Sequence, residues 1–317
     1  MDFMDKNIPV FAFKIPTLNL KQDFFYAMST LYNGICNSPH DTIIFDFKEC
    51  KFINPAFISY LGGLKVYFSS KGKTIIFSTP NENKAINGFL ISSGIRGYFD
   101  NNFSKGYASS NAIPFKRIDM LDESAILDYI GNITNLAPIN ISERAKQQIF
   151  QNIYEIFNNA IEHSEHTEGV FSSGYWLPNK KELIFSIYDT GIGISQKIRN
   201  SYPMMSSFEA FNWAMQSGNS TKQLDLGVPR GLGLHTLKQF IFLNKGALHI
   251  YSNDIYYTYP NIGYVGVLPF STVGTLVAIK INADYGHLYK MKGEKPWLIY
   301  YYQILLTKLL QELQVLN

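Results

Sequence analysis

The chain has 317 residues, 46% of them apolar and only 17% charged, so it suits about two domains of ordinary size with a proper buried core. The formal net charge is +3, and no basic run exceeds a pair such as Lys180-Lys181, which argues against a nucleic-acid or membrane partner. The two cysteines, Cys36 and Cys50, exclude a disulfide scaffold or a cysteine metal site. Both are read as structural thiols in a reducing compartment. No charged, apolar and cleavage-site leader and no bilayer-length apolar run is present, so a cytoplasmic protein is expected. The 21 Tyr and 24 Phe predict many tyrosines at surfaces or interfaces, where an apolar ring with a polar tip fits.

In chain order, Val10 to Ile15 alternates apolar and polar residues as a strand does. Gln22 to Ile35 carries Phe24, Phe25, Met28, Leu31 and Tyr32 at helical spacing. Thr42 to Phe47 and Lys73 to Ser78 are short apolar runs that suit buried strands, with a helix over Ala56 to Ser69 between them and another over Asn83 to Ser93 after them. This β-α-β-α-β-α order predicts a partly parallel sheet. Residues 100–118, rich in Asn, Ser and Gly and containing Pro114, read as a linker, and Asp122 to Ala137 as a connecting helix. The domains are accordingly placed at 1–110, at 141–283, and in a helical tail over 284–317, joined by a connecting segment over 111–140.

The second region opens with a long helix capped by Ser142 and striped by Ile149, Ile153, Ile156, Phe157, Ala160 and Ile161. Strands follow over Gly169 to Trp176 and Glu182 to Asp189. A Gly- and Ser-rich stretch from Thr190 to Arg230 holds one short helix near Phe208 to Met215. A helix over Leu232 to Leu243 and strands over Ala247 to Ser252 and Thr275 to Ile281 complete the region. The order predicts an α+β unit, a mixed or antiparallel sheet under a layer of helices. The tail from Ile299 to Leu316 has Leu and Ile at helical spacing and reads as a packing or dimerising helix.

Four short pieces carry chemistry. Glu155 and Asn159 stand one turn apart on one helix face, where a carboxylate beside an amide oxygen can orient water and coordinate a hard cation such as Mg²⁺. A polar face of an ordinary amphipathic helix accounts for the pair equally well. Asp189-Thr190-Gly191-Ile192-Gly193 runs out of a strand; the Asp can accept from an exocyclic amine such as that of adenine, and glycines let backbone approach a planar ring. A plain turn has the same composition. Arg230-Gly231-Leu232-Gly233-Leu234 opens a helix whose free N–H groups attract anions. It lacks the preceding strand and third glycine of a dinucleotide loop. Gly274-Thr275 begins the last strand, its hydroxyl placed to share a water or a base with the Asp.

Taken in order, Glu155-Ile-Phe-Asn-Asn-Ala-Ile-Glu-His-Ser164, Asp189 to Gly193, Gly231 to Leu234 and Gly274-Thr275 resemble the N, G1 and G2 boxes and closing Gly-Thr of the GHKL ATPases. That family includes sensor histidine kinases, gyrase B subunits, mismatch-repair proteins, heat-shock chaperones and anti-sigma-factor serine kinases. The resemblance covers about residues 140–283 and implies a Bergerat-type sandwich that binds ATP with Mg²⁺. It implies Asn159 as the Mg²⁺ ligand, Asp189 as reader of the adenine amine, and Gly191 and Gly193 at the ring. It further implies Gly231 and Gly233 along the phosphates, with Arg230, Leu232 and Leu234 in the same turn, Thr275 as adenine support, and Glu155 as general base. Residues 194–230 become an ATP lid, from which Ser220-Thr221-Lys222 can reach the γ-phosphate, and His163 takes a packing or phosphate-side role.

Residues 8–100, with Phe45-Asp46-Phe47 and then Phe52 to Ile58, resemble a STAS domain, an anti-sigma-antagonist-like module. Where phosphorylatable members carry Asp-Ser-Ser-Gly, this chain has Asn54-Pro55-Ala56-Phe57, so the acceptor position is Ala56. Ser59 is then a helix-surface serine, and the module is expected to dock within the chain rather than switch by phosphorylation. No phosphoacceptor His lies on a nearby helix pair, which excludes an autophosphorylating histidine kinase. Three functions stay open: an ATP-dependent regulatory protein that couples binding or slow hydrolysis to a protein partner or a second copy, an anti-sigma-type serine/threonine kinase, and an ATP-binding interaction module without turnover.

Overall fold

The structure, a computed structural model, describes residues 10–17, 22–78, 83–100, 109–118, 122–136, 139–164, 168–216, 232–260, 264–284, 288–291 and 293–294. The first elements are β1 (Val10–Lys14), α1 (Gln22–Asn37), β2 (Thr42–Asp46), α2 (Ala56–Ser70), β3 (Thr74–Ser78), α3 (Lys84–Ser92) and α4 (Ile95–Phe99). The three strands pair in parallel in the order β1-β2-β3. Their register aligns Phe13, Phe45 and Phe77 in one row across the sheet, which is why these apolar runs behave as buried strands.

The remaining elements are β4 (Ala112–Ile118), α5 (Glu123–Leu136), α6 (Glu143–Ser164), β5 (Val170–Leu177), β6 (Glu182–Asp189), α7 (Ile194–Ser201), α8 (Ser207–Met215), α9 (Leu232–Leu243), β7 (Ala247–Ser252), β8 (Ile255–Tyr259), β9 (Tyr264–Val267) and β10 (Thr275–Asn282). Their strands form a seven-stranded antiparallel sheet in the order β4-β5-β6-β10-β7-β8-β9. Helix α6 starts where the sequence places it, because the Ala145 N–H donates to Ser142 Oγ at 3.1 Å.

The sheet is buried on both faces, and the period-2 alternation of its strands separates two cores. Leu183, Phe185, Ile187, Leu248, Ile250, Ile279 and Ile281 pack with Ile149, Ile153 and Phe157 of α6 and Leu237, Phe240 and Ile241 of α9. From the opposite face, Phe171, Ile184, Tyr188, Tyr251 and Leu276 join one continuous core with Phe24 and Phe25 of α1 and Phe57, Tyr60 and Leu64 of α2. The layers therefore run parallel sheet, α1 and α2, antiparallel sheet, and α5, α6 and α9. Helix α2 fits between two sheets because its first nine residues, Ala56 to Leu64, contain no charge and are buried all round.

Several expectations change. The segment 100–118 is not all linker, since 112–118 forms β4, paired with β5. Pro114 is tolerated because β4 is an edge strand whose register breaks between Ile113 and Lys116. The stretch after Asp189 contains α7 as well as α8, and β8 and β9 join the sheet beyond β7. The β7-β8 hairpin turns on Asn253-Asp254, with Asn253 at φ 57°. Ser59 is not on the helix surface: it is fully buried, and its Oγ lies 2.7 Å from Ser186 Oγ on β6. Ala56 is equally buried. Cys50 is a buried structural thiol donating to the Pro16 carbonyl, and burial raises its pKa to about 11, whereas Cys36 is exposed. Tyr60, Tyr188, Tyr251 and Tyr256 are buried in the seam between α1, α2 and the large sheet, and Tyr129, Tyr257 and Tyr289 in the core on its other face, while Tyr26, Tyr98 and Tyr202 are exposed. Among the described residues no helix is long and apolar enough to cross a membrane. The predicted tail helix, over residues 299–316, lies outside the described residues.

Candidate functional site

Strand β6 delivers Asp189 to the end of the large sheet, on the face it shares with α6 and α9. Alternation decides this: Ile187, two residues earlier, belongs to the α6 core, and Tyr188 to the opposite one. Asp189 is only 5% exposed, yet the sole cross-strand side chains beside it are small or neutral. Its Oδ1 accepts the Gly191 N–H at 2.9 Å, an Asx turn that folds the chain back. Burial raises the carboxyl pKa to about 7, against the lowering effect of backbone N–H donors at Gly191 and Thr275. Beside it, Thr190 is fully buried, and its Oγ1 has no hydrogen-bond partner among the described residues.

Register brings together residues that are far apart in sequence. Asp189 lies directly opposite Thr275 on β10, and Thr275 lies opposite Ser252 on β7. Thr275 Oγ1 and Ser252 Oγ are 2.9 Å apart, and the Ile194 N–H donates to Ser252 Oγ at 2.7 Å. Ser252 thus ties the last strand to the start of α7, a role the sequence does not reveal, because a serine ending a strand is an unremarked turn residue.

The glycines have internal reasons as well as any connected with a ligand. Gly193 takes φ 82°, and a Cβ there would run into the side chain of Asn253. Asn253 in turn donates from Nδ2 to the Ile192 carbonyl at 2.8 Å and accepts the Gln196 N–H at 3.3 Å. Gly274 takes φ 75°, where a Cβ would overlap the Asp189 carbonyl oxygen. At Gly193, expected beside a bound ring, Asn253 already approaches the backbone, and at Gly274, for which no ring contact is expected, the Asp189 carbonyl does.

Helix α6 supplies the second half. At 100° per residue, Gln148, Asn152, Glu155 and Asn159 form a polar stripe beside the buried stripe of Ile149, Ile153, Phe157 and Ala160. Glu155 is half-buried and Asn159 exposed. Asn152, which sequence reasoning did not single out, is 1% exposed; it accepts from Gln148 Nε2 at 3.3 Å, while its own Nδ2 finds no partner among the described residues. α6 packs against β6 and α9, so this stripe and Asp189 belong to the same face of the sheet.

Asp189, Gly191, Gly193 and Thr275 therefore converge at one sheet end. Leu232, Gly233 and Leu234 open α9. Lys222, Arg230 and Gly231, with Ser220 and Thr221, lie outside the described residues, as does the His163 side chain. Among the described residues no group of three His, Cys, Asp or Glu is arranged to hold a metal ion; an Asn159 site sharing Mg²⁺ with phosphate oxygens would not require one. No family model matches the chain, and no curated protein matches it.

Proposed function

We propose that the chain is a cytoplasmic, Mg-ATP-binding regulatory protein. In this reading the large sheet with α6 and α9 is a Bergerat-type nucleotide module, and the three-stranded unit is a STAS-like module on its back. The observation that carries the proposal is the placing of a buried, desolvated carboxyl, Asp189, directly across the ladder from Thr275, at the lip of the face bearing Glu155 and Asn159. A buried carboxyl with backbone donors from Gly191 and Thr275 still has acceptor capacity left for an exocyclic amine, since two oxygens offer about four lone-pair sites. Thr190 Oγ1 and Thr275 Oγ1 can satisfy ring nitrogens or a shared water. Asn159 would hold Mg²⁺, which neutralises triphosphate charge when bound. Glu155 would take the proton from an attacking water or hydroxyl where turnover occurs.

Calorimetric titration with Mg-ATP tests the reading. Wild type should bind, and Asp189→Asn should bind on the order of 100-fold more weakly, about 2.7 kcal/mol. The Asn oxygen would stay with the Gly191 N–H, leaving its NH₂ facing the amine, donor against donor. Absence of binding by wild type at millimolar Mg-ATP sinks the proposal. The anti-sigma-type kinase reading is weakened within the chain itself, since the acceptor position holds a fully buried Ala56. Transfer to a separate protein, slow hydrolysis, and binding alone are separated by Glu155→Ala, which should keep binding and abolish either reaction.

A further inference from the structure

A hydrogen-bonded path leads from the N-terminal layer into the candidate site. Tyr60, fully buried in α2, donates its hydroxyl proton to the Met28 carbonyl of α1 at 3.1 Å. With that proton committed, its oxygen accepts from Thr272 Oγ1 at 3.0 Å. Thr272 is 3% exposed, and its N–H donates to the Asn253 carbonyl at 2.9 Å. Asn253 then holds the turn after Asp189 through the Ile192 carbonyl and the Gln196 N–H. A second tie runs parallel: the Tyr188 hydroxyl donates to the Val273 carbonyl at 3.1 Å, and the Tyr188 ring packs edge-on to Tyr60 at 5.0 Å. The residues 272–275 that end in Gly274-Thr275 are thus suspended from two tyrosines on the side of the sheet remote from the site.

We infer that Tyr60 is a positioning residue for the nucleotide site, so that the N-terminal layer sets nucleotide affinity through Thr272 and Asn253. The inference rests on the Mg-ATP reading for its ligand, but its geometry belongs to the protein alone. Tyr60 lies on α2 and is tied to Met28 of α1, so a shift of these helices against the sheet moves the 272–275 segment and, through Asn253, the 190–196 turn. Coupling of this kind is reciprocal: a ligand that fixes the turn also tightens the seam.

The test compares Tyr60→Phe and Thr272→Val, which remove the same bond from its two ends and keep nearly the same shape, with Ser59→Ala. The last removes a buried cross-layer hydroxyl contact that is off the path. In calorimetric titration with Mg-ATP, the first two should raise Kd about five-fold, at the low end of ordinary coupling, and Ser59→Ala should not. In the ligand-free protein, amide hydrogen exchange of residues 190–196 should quicken in Tyr60→Phe and Thr272→Val only. Binding by wild type with an unchanged Kd in both path variants, or an equal change in Ser59→Ala, overturns the inference and leaves the nucleotide reading standing. If wild type binds no Mg-ATP, the nucleotide reading falls. Positioning of the turn is then decided by exchange: faster exchange in the path variants supports it, and unchanged exchange overturns it.

Discussion

Gly63→Val is expected to destabilise the protein by about 3 kcal/mol, the upper range for over-packing a closed core. A Cβ on Gly63 would lie 2.5 Å from Tyr188 Cδ1 and 2.9 Å from Phe171 Cδ2. Both rings are fully buried and packed on other aromatic side chains, so neither can swing away. Helix propensity alone predicts the opposite sign, since replacing a mid-helix glycine usually gains about 0.5–1 kcal/mol. Gly88→Ala in α3, where a new Cβ meets nothing within 4 Å, should show that gain. Urea unfolding of the two variants checks the pair. A Gly63→Val midpoint equal to wild type would mean that α2 does not lie against the large sheet as described.

The pH dependence of stability should be governed by two buried groups of opposite sign. His249 faces Phe25 in the seam, its Nδ1 without a hydrogen-bond partner among the described residues, and burial, helped by Lys280, lowers its pKa to about 3 from 6.5. The unfolded chain then binds the proton that the folded one refuses, so this contribution is lost as pH falls below about 6.5. Asp189 is the reverse. Its folded pKa of about 7 lies above the usual 3.8, so the folded state holds the extra proton, and stability is lost as pH rises from about 4 through 7. Between about pH 4 and 6.5 both slopes operate, each about 1.4 kcal/mol per unit, and they cancel. His249→Phe should therefore gain about 3 kcal/mol of stability on acidification across that window, and Asp189→Asn should lose about as much. Denaturant unfolding at half-unit pH steps reads both slopes. Parallel profiles in the two variants would remove one or both groups from their buried places.

Much of the local organisation was legible in the residues. The bounds of β6, α9 and β7 follow from apolar runs ended by Asp, Gly and turn residues, and Ser142 announces α6 because its hydroxyl has one evident use, to cap it. Strand β4 was hidden because its Pro114 and polar neighbours look like a linker; only its position at a sheet edge, where a missing N–H does no harm, makes it a strand. Strand β8 was hidden because the Asn253-Asp254 hairpin lies within a run of tyrosines without the glycine that usually marks such turns.

What the residue order determined by itself was the sequence of elements, the stripe of Glu155 and Asn159 on α6, and the Asp189 turn, all consequences of chemistry within a few residues. Tertiary structure decided what covers each face. Periodicity shows that α2 and the large sheet have apolar surface to bury, but not that they bury it against each other; that depends on shape, on Gly62 and Gly63 leaving room for Phe115, Tyr188 and Phe171. The same packing turned Ser59 from an expected surface residue into a buried partner of Ser186. It also set Asp189 opposite Thr275 and suspended both turns from Tyr60. Such long-range placements cost loop-closure entropy that only whole-core burial repays, so no local stretch of the chain can encode them.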